Sequence, residues 1–106
     1  MEMIARRILV GLSCRIGKDR GISVKGLALS NGICERRVRS YISQLRDEGY
    51  AICGTPQTGY YMAETAEELE HTCQFLHARA MHSLVLEAKL RKIPLPDLLG
   101  QMHLRT

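Results

Sequence analysis

A chain of 106 residues supports one hydrophobic core but not two, so the expected organisation is a single domain with an appendage. Its hydrophobic fraction of 45% with 25% charged residues is that of a folded globular protein, and no stretch approaches the roughly 20 consecutive apolar residues of a membrane-spanning helix. The net charge of +4 is unevenly placed: residues 1–50 hold ten Lys/Arg against five Asp/Glu, whereas residues 51–106 hold five against six. The basic half suits a polyanion and the near-neutral half suits protein contact.

The first segment, 2–16, sets Ile4, Ile8 and Leu12 on one helical face with Arg6 and Arg7 outside it, which predicts an amphipathic helix. The apolar run behind the two arginines is too short for the core of an export signal, so a cytoplasmic protein with reduced cysteines is expected. Of the four cysteines, Cys14 and Cys53 are expected in the core. A solvated loop at 17–21 leads to a short strand at Ile22. Ser23 is placed to cap a brief helix over 24–30 that buries Val24, Leu27 and Ala28.

Asn31-Gly32 is a turn dipeptide, and a third helix follows it over 35–48. Its apolar positions Val38, Tyr41, Ile42 and Leu45 recur at i, i+3, i+4 and i+7, and Gly49 is placed to end it with positive φ. Two β-prone runs, 50–53 and 60–63, joined by a loop at 54–59, read as a hairpin. In that hairpin Tyr60 and Tyr61 alternate faces, one toward the core and one toward the loop. Thr65 and Glu68 carry the spacing of a capping box, in which hydroxyl and carboxylate reciprocally bind exposed amides. A long helix should run from there to about Lys92, where Pro94 and Pro96 stop it.

Two helices joined by a short Gly-containing turn, the second rich in arginine, are the parts of a helix-turn-helix. The run ISVKGLALSNGICERRVRSYISQLRDEGYAICGTPQTGYYMAE resembles the winged-helix domains of biotin-repressor-type regulators and of many phage or prophage DNA-binding proteins. The likeness lies in a helix ending Leu45-Arg46-Asp47-Glu48-Gly49-Tyr50 and a wing closing on Gly59-Tyr60. It implies a mainly α fold with a small β-hairpin: a winged helix-turn-helix over 1–63, a long C-terminal packing or dimerisation helix over 64–93, and a tail over 94–106. It also implies double-stranded DNA binding, by a small transcriptional regulator or phage protein acting as a dimer.

The same resemblance brings Glu35, Arg36, Arg37, Arg39 and Ser40 to the DNA, with Lys25, Gln57 and Thr58 beside them. Either Arg36 or Arg37 can grip guanine with its planar fork or hold a phosphate. The family pattern departs at Cys34, where a Ser or Thr cap is usual, and in the wing, which has no Lys or Arg. That uncharged wing favours the alternative of a protein-interaction module within a replication or packaging assembly.

The long helix shows two apolar lines, one through Leu69, Cys73, Leu76, Ala80 and Leu84, the other through Phe75, His82, Leu86 and Ile93. The first is expected to cover the core. The second is expected to form a homodimer interface, or else to be covered by the tail around Leu95 and Leu99. Cys73 and His77 share a helical face with His71 nearby, yet no second ligand pair accompanies them, so no metal or other cofactor is expected. His71, His77, His82 and His103 are read as surface or interface residues. No nucleophile elbow or phosphate loop is present, and no enzymatic activity is expected.

Overall fold

The computed structural model describes residues 2–101 and divides into two compact units, Met1–Thr72 and Cys73–Thr106. His103 and the end of the 94–106 tail lie outside the described residues. The protein is mainly helical, with one small antiparallel hairpin and a long helix toward the C-terminus. Among the described residues no helix is long and apolar enough to cross a membrane.

In the first unit, helix α1 spans Met3–Ser13. It starts where the extended Glu2 accepts the Ile4 N–H at 3.0 Å, and it buries Ala5, Ile8 and Leu12. It ends three residues before the expected Ile16, because the following backbone is used elsewhere. The Met62 N–H donates to the Arg15 carbonyl at 2.8 Å and the Gly17 N–H donates to the Met62 carbonyl at 3.0 Å. Cys14 is consequently exposed at the helix end, a correction to its expected place in the core.

A 3-10 turn at Lys18–Arg20 leads to Ile22, which pairs antiparallel with Tyr60. Helix α2, Val24–Asn31, is capped by the Ser23 hydroxyl, which accepts the Gly26 N–H, and it buries Leu27 and Ala28. Gly32, at φ +65°, turns the chain through the left-handed region that glycine tolerates. Helix α3, Glu35–Asp47, then buries Val38, Ile42 and Leu45, with Tyr41 half-buried beside them. Each of these large aliphatic side chains contributes about 1.5–3 kcal/mol on leaving water.

The hairpin consists of β1, Ile52–Thr55, and β2, Gly59–Met62, in the register Ile52↔Met62 through Thr55↔Gly59. It sits two residues later on the first strand than alternation suggests, leaving Tyr50 and Ala51 as an exposed connector. Tyr61 is buried and Tyr60 half-buried, as alternation requires.

Helix α4 spans Ala66–Arg91 and carries the boundary between the units. In the first unit its Thr72 is buried, and the hydroxyl accepts the Gly54 N–H at 3.1 Å. Of the expected line Leu69, Cys73, Leu76, Ala80 and Leu84, the first four are exposed, Thr72 taking the inward position in the first unit, and Leu84 is half-buried in the second. In the second unit Ala88 of α4 is buried, and Phe75, Met81, Leu84, Val85 and Glu87 are half-buried. The chain leaves α4 through Lys92 at φ +58° and re-enters helix as α5, Leu95–Gln101, whose Leu98 is buried. Pro94 and Pro96 therefore interrupt the helix without ending helical structure, since proline is tolerated in a first turn.

Candidate nucleic-acid interface

Three α3 residues face the core, and about 100° per residue fixes where the others point. Diametrically opposite Val38, Ile42 and Leu45 lie Arg36, Ser40, Ser43 and Asp47, all exposed, forming the crest of the helix. Glu35 and Arg39 occupy the flank shared with Arg46. Arg37 and Tyr41 occupy the other.

The arginines differ in what already holds them. Arg37 Nη2 donates to the Tyr41 hydroxyl at 2.9 Å, with its guanidinium 5.6 Å from that ring's centroid. The Tyr41 hydroxyl in turn meets the Glu2 carboxylate. That carboxylate is held below the ordinary carboxylate range by the Ile4 amide first and by Tyr41 second. Arg37 thus belongs to a chain of contacts fastening the start of α1 to α3. Arg39 stands 3.8 Å from the Glu35 carboxylate, an exposed i,i+4 pair of little energy that a stronger anion can displace. The Arg36 side chain has no hydrogen bond or ion pair among the described residues, and it stands exposed on the crest of the helix.

The start of α3 has its own signature. Cys34 occupies the cap position in extended conformation and makes no side-chain cap, so the first-turn amides are left to solvent or to a ligand. Lys25 is exposed on α2.

The hairpin tip is built differently from the expectation that Thr58 reaches outward. The Thr58 hydroxyl accepts the Thr55 N–H at 3.0 Å and donates to the Gly59 carbonyl at 2.9 Å, closing the turn on itself. Only Pro56 and Gln57 are exposed there.

Behind the tip, Gly59 at φ +73° runs so close to Ile22 that an added Cβ would lie 2.6 Å from its carbonyl carbon. Arg46 joins α3 to the hairpin from below: Nε donates to the Ile52 carbonyl at 2.8 Å and the guanidinium lies 5.9 Å from the Tyr60 ring centroid.

A further fastening escaped sequence pattern. The Glu68 carboxylate accepts the Glu64 N–H and the Lys18 N–H, each at 2.8 Å, while the Glu68 N–H donates to the Thr65 hydroxyl at 3.1 Å. The capping box forms, but its carboxylate reaches one residue beyond the cap and also grips the 3-10 turn. Those amides, Glu64's foremost, hold the carboxyl below its ordinary value.

Of the expected α4 residues, His82 and Leu86 are exposed and Phe75 is half-buried on the same line, with Arg79 at 5.7 Å from the Phe75 ring centroid. Ile93 leaves that line because Lys92 ends the helix. Leu90, 84% exposed, adjoins it instead. His71 and His77 are exposed, and among the described residues no three His, Cys, Asp or Glu side chains gather at metal-binding distance.

No protein-family model matches this chain, and neither curated proteins nor solved structures supply a match.

Proposed function

We propose that this chain is a winged helix-turn-helix protein that binds double-stranded DNA, laying the crest of α3 in the major groove. The observation that carries the reading is Arg36: an unpaired guanidinium exposed on the crest of α3, with Ser40 and Ser43 on the same face and Arg39 beside it. Support comes from the order of elements, in which α2, a left-handed glycine turn and α3 precede a hairpin stitched to Ile22. Asp47 at the far end of the crest repels phosphate, so the DNA-facing part is the N-terminal half of α3.

In this reading Arg36 reads a base edge or holds the backbone, Arg39 exchanges Glu35 for phosphate, and Lys25 adds a phosphate contact from α2. Arg37 positions α1 against α3. The protein acts as a dimer through Phe75, His82, Leu86 and Leu90 of α4, pairing two half-sites as a transcriptional regulator or phage protein does.

Electrophoretic mobility shift of duplex DNA over a salt series tests this. Binding should weaken steeply with salt, and Arg36→Ala should cost about 1–3 kcal/mol of affinity while leaving the fold intact. Absence of a shift at low salt would sink the proposal. The uncharged hairpin tip favours a second reading, a protein-interaction module within a replication or packaging assembly, which predicts neither shift nor salt slope.

A further inference from the structure

An open groove between α1 and α2 is lined by Arg6, Arg7, Val10, Gly11, Cys14 and Leu27. Three features of it are unexplained by the fold. The side chains of Arg6 and Arg7 are exposed and have no hydrogen bond or ion pair among the described residues. Val10 lies 60% exposed between them and the helix end. Gly11 has helical backbone that needs no glycine, and a Cβ there would meet nothing within 4 Å.

Glycine is the poorest helix former after proline, and neither a turn nor an internal neighbour requires it here. The use that remains is close approach by another backbone. The groove combines apolar lining with cations, the chemistry by which an amphipathic helix is recognised. It does not belong to the proposed DNA surface. Helices α1 and α3 turn Ala5, Ile8 and Leu12, and Val38, Ile42 and Leu45, toward one core, so their exposed crests face different directions.

We propose that this groove docks an acidic amphipathic helix from a partner protein, with its carboxylates on Arg6 and Arg7 and its backbone close over Gly11 beside Val10. The occupant is acidic because both free cations stand on the groove. It is apolar on its inner face because Val10 is exposed in the groove, with Leu27 buried behind it. The inference stands independently of DNA binding and permits both surfaces to be occupied at once.

The test is a displayed library of helix-forming peptides of about 14 residues, roughly four turns. It is panned on the full chain, with counter-panning on Arg6→Glu/Arg7→Glu and on Gly11→Leu, all at exposed positions checked for fold by circular dichroism. Enriched peptides should carry Asp or Glu on one face and Leu, Met or Phe on the other. They should bind either variant roughly tenfold more weakly than the parent and be indifferent to Arg36→Ala.

Several results would overturn it: no enrichment, enrichment of basic or uncharged peptides, or binding to either variant as tight as to the parent. Two more do the same. Loss of duplex binding in Arg6→Glu/Arg7→Glu as large as that in Arg36→Ala would make the groove a DNA surface, and dimers abolished by Gly11→Leu would make it a self-contact.

Discussion

At Glu68 one carboxylate performs two tasks, closing the first turn of α4 and holding the Lys18 amide of the 3-10 turn. Both bonds require the ionised form, which is why its titration is displaced downward from the ordinary 4.5. A lowered folded value means that the stabilisation is complete above the unfolded value and is lost as pH falls through the folded one. The thermal midpoint should therefore hold down to about pH 4.5 and then decline. Glu68→Gln should lower the midpoint at neutral pH and flatten the acid decline. An unchanged pH profile in that variant would show the two amide bonds to be idle.

Gly59 makes a comparable point by geometry. Gly59→Ala must move the hairpin off Ile22 or strain a positive φ, and should cost roughly 2 kcal/mol in urea unfolding. Pattern alone finds Thr65 and Glu68 because a capping box is local. It does not find the Lys18 contact, fifty positions away in the chain.

Among the elements, α3 is the most legible and also the most improvable. Its period of apolar residues identifies Val38, Ile42 and Leu45 as its buried face, because a helix offers one face to a core and these are its only aliphatic residues. The cap is where it is weak. Cys34 already holds extended cap geometry at φ −79°, ψ 160°, without a side-chain bond, so Cys34→Ser should supply the missing acceptor and stabilise the protein by about 0.5–1 kcal/mol in thermal denaturation.

The hairpin is the less legible element. The β-prone run of residues 50–53 does not say where pairing begins. The register follows from Arg46 taking the Ile52 carbonyl and from Gly59 lying against Ile22, which are tertiary facts. The same holds at the end of α1. Ile16 extends the helical period, yet the backbone on both sides of it is committed to Met62. At the other extreme, Pro94 and Pro96 read as a stop, and α5 follows because a first turn needs none of the amide bonds proline lacks.

For the molecule as a whole, the two units pose a question of association. Leu86 and Leu90 are 47% and 84% exposed on the line that holds Phe75 and His82, an apolar surface that a dimer would cover. Light scattering across micromolar concentrations should show a dimer, and Leu86→Glu/Leu90→Glu should return a monomer with its helical content unchanged. A parent chain that stays monomeric throughout would remove the dimer from the proposed mode of DNA binding. The basic N-terminal half is legible in composition. Its division into a held Arg37, a paired Arg39 and a free Arg36 is not, because i,i+4 spacing brings Tyr41 and Glu35 within reach without fixing that the side chains meet.

The pairing of Ile22 with Tyr60 bears on how the protein breathes. Each residue donates its amide to the other's carbonyl, at 2.9 Å and 2.7 Å, while Met62 donates to the Arg15 carbonyl and accepts from the Gly17 amide. A hairpin tied at these points cannot peel away as a flap, since opening it also releases the chain that joins α1 to α2. Amide hydrogens of Ile22, Tyr60 and Met62 should accordingly exchange with deuterium only as fast as the whole first unit unfolds, together with those of Ile42 and Leu45. The hairpin is then a rigid abutment beside α3, to which Arg46 joins it through the Ile52 carbonyl.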